Sequence, residues 1–349
     1  MAHGSGSRRT SSVERHPVMS PTSTETLLPP RHAADRVDLR QPAGSPPGAA
    51  ATHEPGTFRH DGLFWRRLAY RGSTEGPEWW KRTSPAVIAA VLFAAIGRNR
   101  RGVLSNLRRI QGSRGVLADH WSALRTFVEF AYCLTETLEH ASPHARPLDV
   151  QAPPEIDDFE RLPRRQGVVV LTSHFGSWEI AAQLMQRFGR RVNVVMAREA
   201  NPSVEAFQSA LRERCGLRVL HSDSSPFASL NMLQALRRGE IVAIQIDRSA
   251  PGHVTRPVEF FGAPAQFQYG PFALARLAGV PLWPVFAARL GVRRYRLMPE
   301  PLRTIARDAS EQDVLAVMHD VVRSFESHVR AHPNQWFQFA PFWDRPAQR

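Results

Sequence analysis

Apolar and polar positions divide the chain into three stretches. Up to about residue 60 there is almost no periodic apolar pattern, only Pro, Ser, Thr, Ala and Gly with Pro29-Pro30 and Pro46-Pro47 among them. Such a segment cannot bury enough surface to offset its ordering entropy, which predicts a disordered tail over residues 1–60 and one folded domain over 61–345. Helical spacing comes next. Ser84 sits in N-cap position, Pro85 in the first turn, and an apolar run follows over 86–96, closed by Gly97. A longer helix is predicted over about 115–140, where Val116, Trp121, Leu124, Phe127, Val128, Ala131 and Leu134 recur mostly every three or four residues.

From Gln166 the period changes to short β-rich runs at 168–171, 192–196, 217–220, 241–246, 258–261 and 282–287. Helical stretches lie between them at 177–187, 203–214, 226–238 and 269–278. Continuous apolar strands separated by helices predict an α/β fold, a largely parallel central sheet flanked by helices, with an α-helical N-terminal portion. A last amphipathic helix over 310–331 precedes Pro333 and an aromatic run from Trp336 to Trp343. No repeat at solenoid period interrupts this order.

Composition adds a partner class. The chain has 349 residues, 42% of them hydrophobic, enough for a sizeable core. Its 45 Lys+Arg against 32 Asp+Glu leave a formal +13, and Lys81 is the only lysine, so the excess is arginine, suited to bidentate phosphate and carboxylate contacts. Phospholipid headgroups, phosphorylated substrates, nucleic acid and acidic proteins all fit that charge, but no nucleic-acid-binding motif accompanies it. A non-catalytic basic lipid- or nucleic-acid-binding protein is therefore the alternative to an enzyme.

The apolar run at 86–96 covers roughly 18 Å as a helix, short of the ~30 Å hydrocarbon layer. Trp79-Trp80-Lys81-Arg82 before it and Arg98, Arg100 and Arg101 after it are interfacial residue types, which favours a helix lodged at a membrane surface over the alternative, a buried core helix. Cys133 and Cys215 are too few for a disulfide framework or a cysteine zinc site, and the N-terminus lacks the apolar stretch of a secretory signal. A reducing compartment follows from both.

The chemistry concentrates in Val168-Val169-Val170-Leu171-Thr172-Ser173-His174-Phe175-Gly176-Ser177-Trp178-Glu179. A strand ending at Thr172 and a helix starting near Ser177 put His174 in a turn at the carboxyl edge of the sheet, where catalytic groups of α/β proteins collect. His174 and Glu179 are five apart and share no face of a regular helix, so they meet only if His174 folds back before the helix, a turn Gly176 permits. A carboxylate on one imidazole nitrogen would make the other a general base. No metal is expected, because the remaining histidines make no cluster at ligand spacing, and no glycine-rich phosphate loop follows any strand.

His174-Phe175-Gly176-Ser177-Trp178-Glu179 closely resembles the H-x-x-x-x-(D/E) motif of the lysophospholipid acyltransferase superfamily, in the form typical of the bacterial lipid A (late, secondary) acyltransferases. Other blocks match in order: Arg101 to Leu107 with Asn106; Arg198 with Asn201-Pro202; Gln245-Ile246-Asp247-Arg248; Val258-Glu259-Phe260-Phe261-Gly262; Gly270-Pro271; and Pro333-Asn334-Gln335-Trp336-Phe337. The resemblance covers about residues 61–343. It implies a glycerol-3-phosphate acyltransferase-like fold and transfer of a fatty acyl group from an acyl carrier protein or coenzyme A thioester to a hydroxyl of a membrane glycolipid or phospholipid. The thioester is a co-substrate, and no cofactor is implied.

In that reading His174 is the general base and Glu179 orients its ring. Backbone N–H groups around Gly176 and Ser177 are candidates to hold the oxyanion. Arg198 and Arg248, with Asp247 fixing one of them, would contact an acceptor phosphate or hold Glu179, and Asn201 and Gly262 join them as substrate-binding positions; Arg212 and Arg214 rank lower. The implied location is the cytoplasmic face of a bacterial inner membrane, peripheral or monotopic. Two features depart from the family pattern: the apolar helix follows a long tail, and Gln245 stands where an Asp is common.

Overall fold

The structure, a computed structural model, describes residues 23–29, 62–222, 228–248 and 252–344. Helices α1 (Leu63–Thr74), α2 (Glu78–Ala95), α3 (Gly97–Gln111) and α4 (Val116–His140) precede the main run of strands. The eight-stranded sheet has β3 (Val168–Thr172) near its centre. On one side of β3 lie β6 (Ile241–Gln245), β4 (Val192–Met196) and β5 (Leu217–His221). On the other lie β9 (Leu282–Gly291), β10 (Arg294–Pro299), β2 (Leu148–Ala152) and β1 (Ser23–Leu27). Every pairing from β9 through β3, β6 and β4 to β5 is parallel. The far side is mixed: β10 runs antiparallel to β9 and parallel to β2, and β1 is antiparallel to β2.

Both faces of the parallel part are covered, which explains its unbroken apolar runs. In β3, Val169 and Leu171 enter one core with Phe286 and Phe325, while Val168 and Val170 enter the other with Phe159 and Trp283. Connecting helices are α5 (Trp178–Leu184), α6 (Pro202–Arg214), α7 (Ala228–Arg237) and α8 (Gly270–Ala278), and α9 (Glu311–Ala331) follows β10. Sequence-legible signals set several ends. Asn201 caps α6 by accepting from the Ser203 N–H at 3.0 Å, with Pro202 in the first turn, and Ser310 and Asp313 form a capping box on α9.

The structure corrects the sequence reading in four places. The apolar helix begins at Glu78, not after Ser84, so Pro85 lies inside α2. Ion pairs from its first turns offset the hydrogen bond that Pro85 forfeits: Glu78 to Arg293 at 2.8 Å and Lys81 to Glu139 at 3.0 Å. Lys81 therefore faces the fold and is not an interfacial flank. Secondly, residues 258–261 are not part of the main sheet. They belong to β7 (Thr255–Phe260), which pairs only with β8 (Ala263–Gln268) in a separate hairpin turned by Phe261 and Gly262, both at positive φ. Thirdly, α1 and α3 are additional helices. Lastly, most of the expected tail lies outside the described residues, but Ser23–Leu27 within it is an edge strand on β2.

The closing aromatic run docks inward, with Trp336, Phe337 and Phe342 all buried. Asn106 on α3 anchors it, donating to the carbonyls of Gln338 and Ala340 at 2.9 Å each and accepting from the Phe342 N–H at 2.9 Å. Behind it, Arg289 on β9 meets Glu136 of α4 at 2.9 Å, and the Tyr295 hydroxyl donates to the same carboxylate at 2.5 Å. These buried contacts lock the helical portion to the sheet.

Candidate active site

His174 leaves the end of β3 at the carboxyl edge of the parallel strands. The turn that holds it needs a glycine at 176. Gly176 has φ +53°, and a Cβ there would lie 1.8 Å from the Ala287 carbonyl oxygen of β9. Neighbouring β6 pairs Thr172 with Gln245, so Asp247, two residues past the strand, arrives beside His174. The Asp247 carboxylate accepts from the His174 backbone N–H at 3.1 Å to each oxygen and faces His174 Nδ1 at 2.9 Å. Trp336 Nε1 donates to its second oxygen at 2.9 Å.

Asp247 is fully buried. Burial alone would push its carboxyl up, but the charge and hydrogen bonding of His174, with Arg248 and the Trp336 N–H, outweigh that and hold it at about 2. The surrounding chain fixes both partners. Phe337 N–H donates to the His174 carbonyl at 2.7 Å, Gln338 Nε2 to the Asp247 carbonyl at 3.2 Å, and Arg248 to the Phe337 carbonyl at 2.6 Å. An ionised carboxylate on Nδ1 favours the tautomer with its proton there and directs base chemistry to Nε2.

The contacts of Glu179 differ from the expected ones. Glu179 does not hold the imidazole. It faces Arg212 of α6 at 2.8 Å, and that guanidinium also lies 5.8 Å from the Trp178 ring. The arginine on Glu179 is thus neither Arg198 nor Arg248 but one ranked below them. The five-residue spacing explains it: after the turn at Gly176, Glu179 lies in the first turn of α5 and looks toward α6. The Gly176 and Ser177 amides, expected as oxyanion donors, are engaged within the fold. Gly176 N–H donates to the Gln335 carbonyl at 2.8 Å and Ser177 N–H to the Ala287 carbonyl at 3.2 Å. The Ser177 hydroxyl lies 3.1 Å from that of Thr137, so both residues hold the turn in place.

The remaining candidates scatter. Arg198 is exposed beyond the end of β4, and Asn201 is spent on capping α6. Gly262 is an exposed hairpin-turn residue at φ +70° with open space where a Cβ would stand. Asp247 does not pair with an arginine as its main partner; His174 takes that place. Trp336, Gln335 and Gln338 complete the site's support; the closing block Pro333 to Phe337 was the signal for the first two, and Gln338 lies just beyond it. Gln335 bridges to β9 as well, accepting from the Arg289 N–H and donating to its carbonyl, both at 2.7 Å.

Glu179 and Arg212 line a mostly apolar cavity of about 120 Å³ between α1, α4 and α6, with Leu134, Leu138, Phe207 and Leu211. Large apolar side chains are exposed nearby on the helical portion: Phe64 and Leu68 on α1, Val87 and Val91 on α2, Leu117 and Trp121 on α4. Among the described residues no helix is long and apolar enough to cross a membrane, and no group of three or more His, Cys, Asp or Glu is placed to hold a metal ion.

Comparison with known proteins bears on what this geometry serves. The family model described as bacterial lipid A biosynthesis acyltransferase matches residues 76–345. The curated phosphatidylinositol mannoside acyltransferase of Mycolicibacterium smegmatis is 26% identical over 190 residues, which take in 53% of this chain and 59% of that relative. The chain thus spans about three-fifths of the length of the curated relative it matches.

Proposed function

The chain belongs to the bacterial lipid A biosynthesis acyltransferase family, and on that premise we propose that it moves a fatty acyl group from an acyl thioester to a hydroxyl of a glycolipid or phospholipid, with His174 as general base. In this reading His174 Nε2 takes the proton of the acceptor hydroxyl as its oxygen attacks the thioester carbonyl. The tetrahedral adduct collapses, the C–S bond breaks, and the departing thiolate takes the proton from the imidazolium. Such base assistance contributes about 10²–10⁴-fold. Asp247, in place of Glu179, holds the ring and balances the imidazolium, while Glu179 steadies α5 against α6 through Arg212.

The observation that carries the reading is the buried Asp247 on His174 Nδ1, clamped by Trp336, at the strand edge of a family member. The donor is acyl carrier protein or coenzyme A thioester, and an acidic carrier suits the arginine-rich surface. A glycophospholipid acceptor draws support from the relative's name, and a lipid A precursor from the family's. The exposed apolar side chains of α1, α2 and α4 support peripheral attachment at the cytoplasmic face of the inner membrane.

The test is acyl transfer from a radiolabelled acyl thioester into membrane lipids, with product lipids identified by mass spectrometry. His174→Ala should lose at least about 10²-fold in rate while keeping its fold. Wild-type transfer by that variant would overturn the assignment, and no transfer by the wild type to any membrane lipid would favour the non-catalytic lipid-binding alternative.

A further inference from the structure

Away from His174, two adjoining cavities differ sharply in character. The first is a trough of about 480 Å³ between α2 and α4, floored by Ala86 and Ala90 and walled by Trp121, Leu124 and Val128. The second is a pocket of about 380 Å³ where α3 and α4 meet the end of α9, and its walls set the polar Gln111, Arg114, Ser122 and Asn334 beside apolar side chains such as Ala118 and Pro333. Trp121, Arg125 and Glu129 line both, so the two adjoin across these side chains. Each volume falls in the range of small-molecule sites, roughly 300–1,000 Å³.

The charge at the junction is positive. Glu129 is engaged by Arg289 at 3.3 Å, and burial lowers the pKa of His332, which favours its neutral form. Arg114 is held over the pocket by a 2.8 Å bond to Gln111, and Arg125 is exposed, with neither an ion pair nor a hydrogen bond among the described residues. The open side of the trough continues the exposed apolar surface, because Val87 and Val91 directly follow its two floor alanines and Trp121 is 65% exposed. An apolar trough that opens onto exposed apolar side chains, with Arg125 at its edge and Arg114 in the adjoining pocket, matches an amphiphile with an acyl chain and an anionic head.

We propose that this groove binds one anionic bilayer phospholipid, its chain between α2 and α4 and its phosphate on Arg125 and Arg114. The site is separate from the acceptor chemistry, since His174 lines neither cavity. It nevertheless abuts the catalytic turn from behind. The pocket wall includes Gln335, whose carbonyl takes the Gly176 N–H, and the His332 ring lies 6.3 Å from that of Phe175. A bound lipid would therefore brace the segment that clamps Asp247, and hold the enzyme at its substrate's membrane.

The test is photolabelling of the full chain on phosphatidylcholine vesicles doped with a diazirine-tailed phosphatidylglycerol, or with the equivalent phosphatidylcholine probe. Saturable labelling of residues 86–90 and 121–128, about 10-fold stronger with the anionic probe, is the expected result. Arg125→Gln, an exposed position that leaves folding untouched, should bring the two probes level. Ala90→Trp, checked for native circular dichroism, should remove trough labelling. His174→Ala should label like wild type, which separates this site from the acyl-transfer reading. Labelling spread over α1 and α2 alike, equal for both heads, or unmoved by Arg125→Gln and Ala90→Trp, would overturn the proposal; so would labelling of the groove by an acceptor glycolipid probe but not by phosphatidylglycerol.

Discussion

Replacing Asp247 with Asn tests the site most directly, because the side chain keeps its shape and loses only an acceptor and a charge. Three donors converge on the carboxylate: the His174 backbone N–H, the His174 ring and the Trp336 N–H. An amide offers one oxygen, so its NH₂ must face either Trp336 or the imidazole. Facing Trp336, it leaves a buried N–H unsatisfied, which costs about 1–3 kcal/mol. Facing the imidazole, it makes Nδ1 the acceptor and puts the ring proton on Nε2, where base catalysis cannot start. Acyl transfer should fall about 10²–10⁴-fold, and thermal unfolding should drop by roughly 2–10 °C.

The same residue predicts an acid signature. Its carboxyl sits at about 2 in the fold against 3.8 ordinarily, a difference of about 2 kcal/mol in favour of the ionised form. Because the folded value is the lower one, that stabilisation is complete above about pH 4 and is lost as pH falls toward 2. Denaturation midpoints measured across this window should converge for wild type and Asp247→Asn. Transfer by the variant within about threefold of wild type, or acid curves that stay parallel, would refute the reasoning.

Three further outcomes follow from the geometry. Gly176→Ala forces a Cβ against the Ala287 carbonyl at a positive φ, and should cost more than about 3 kcal/mol in urea denaturation. Glu136→Gln removes the charge that Arg289 and Tyr295 share in the interior, and should lose about 3–5 kcal/mol by the same measurement. Glu179→Gln keeps a hydrogen bond to Arg212 but weakens the pair, so stability should fall by about 1 kcal/mol. Its acyl-transfer rate should stay within about 10-fold of wild type, and a loss as deep as that of His174→Ala would return Glu179 to direct contact with the imidazole.

The parallel sheet was legible because burial on both faces writes itself as near-continuous apolar runs in β3 and β6, and in β4 with Asn193 as its one polar interruption. Helix α3 was not, since Arg98, Arg100, Arg101, Arg108 and Arg109 mask the apolar face made by Val103, Leu104, Leu107 and Ile110. The β7–β8 hairpin read as a sheet strand because Val258 to Phe261 is as apolar as its neighbours; only Pro257 and the Phe261-Gly262 turn mark it as separate. His174 could be placed at a strand edge from local sequence alone. Its partner could not. Asp247 lies 73 residues away, and the two meet only because β6 is next to β3, a fact of strand order that no periodicity carries.

The motif spacing makes physical sense once its two ends are seen to face different neighbours. Strand β3 and Gly176 fix where the chain turns, and the turn is held from outside by Gln335 and Ala287 through the amides of Gly176 and Ser177. His174, before the turn, remains at the strand edge and takes its carboxylate from the adjacent strand. Glu179, after the turn, rides on α5 and secures α6 through Arg212. Ile180 to Leu184 bury the body of this seven-residue helix, and the ion pair of Glu179 with Arg212 ties its first turn to the next crossover helix. In this chain the two residues five apart thus serve one turn from opposite sides, His174 through Asp247 on the adjacent strand and Glu179 through Arg212 on α6.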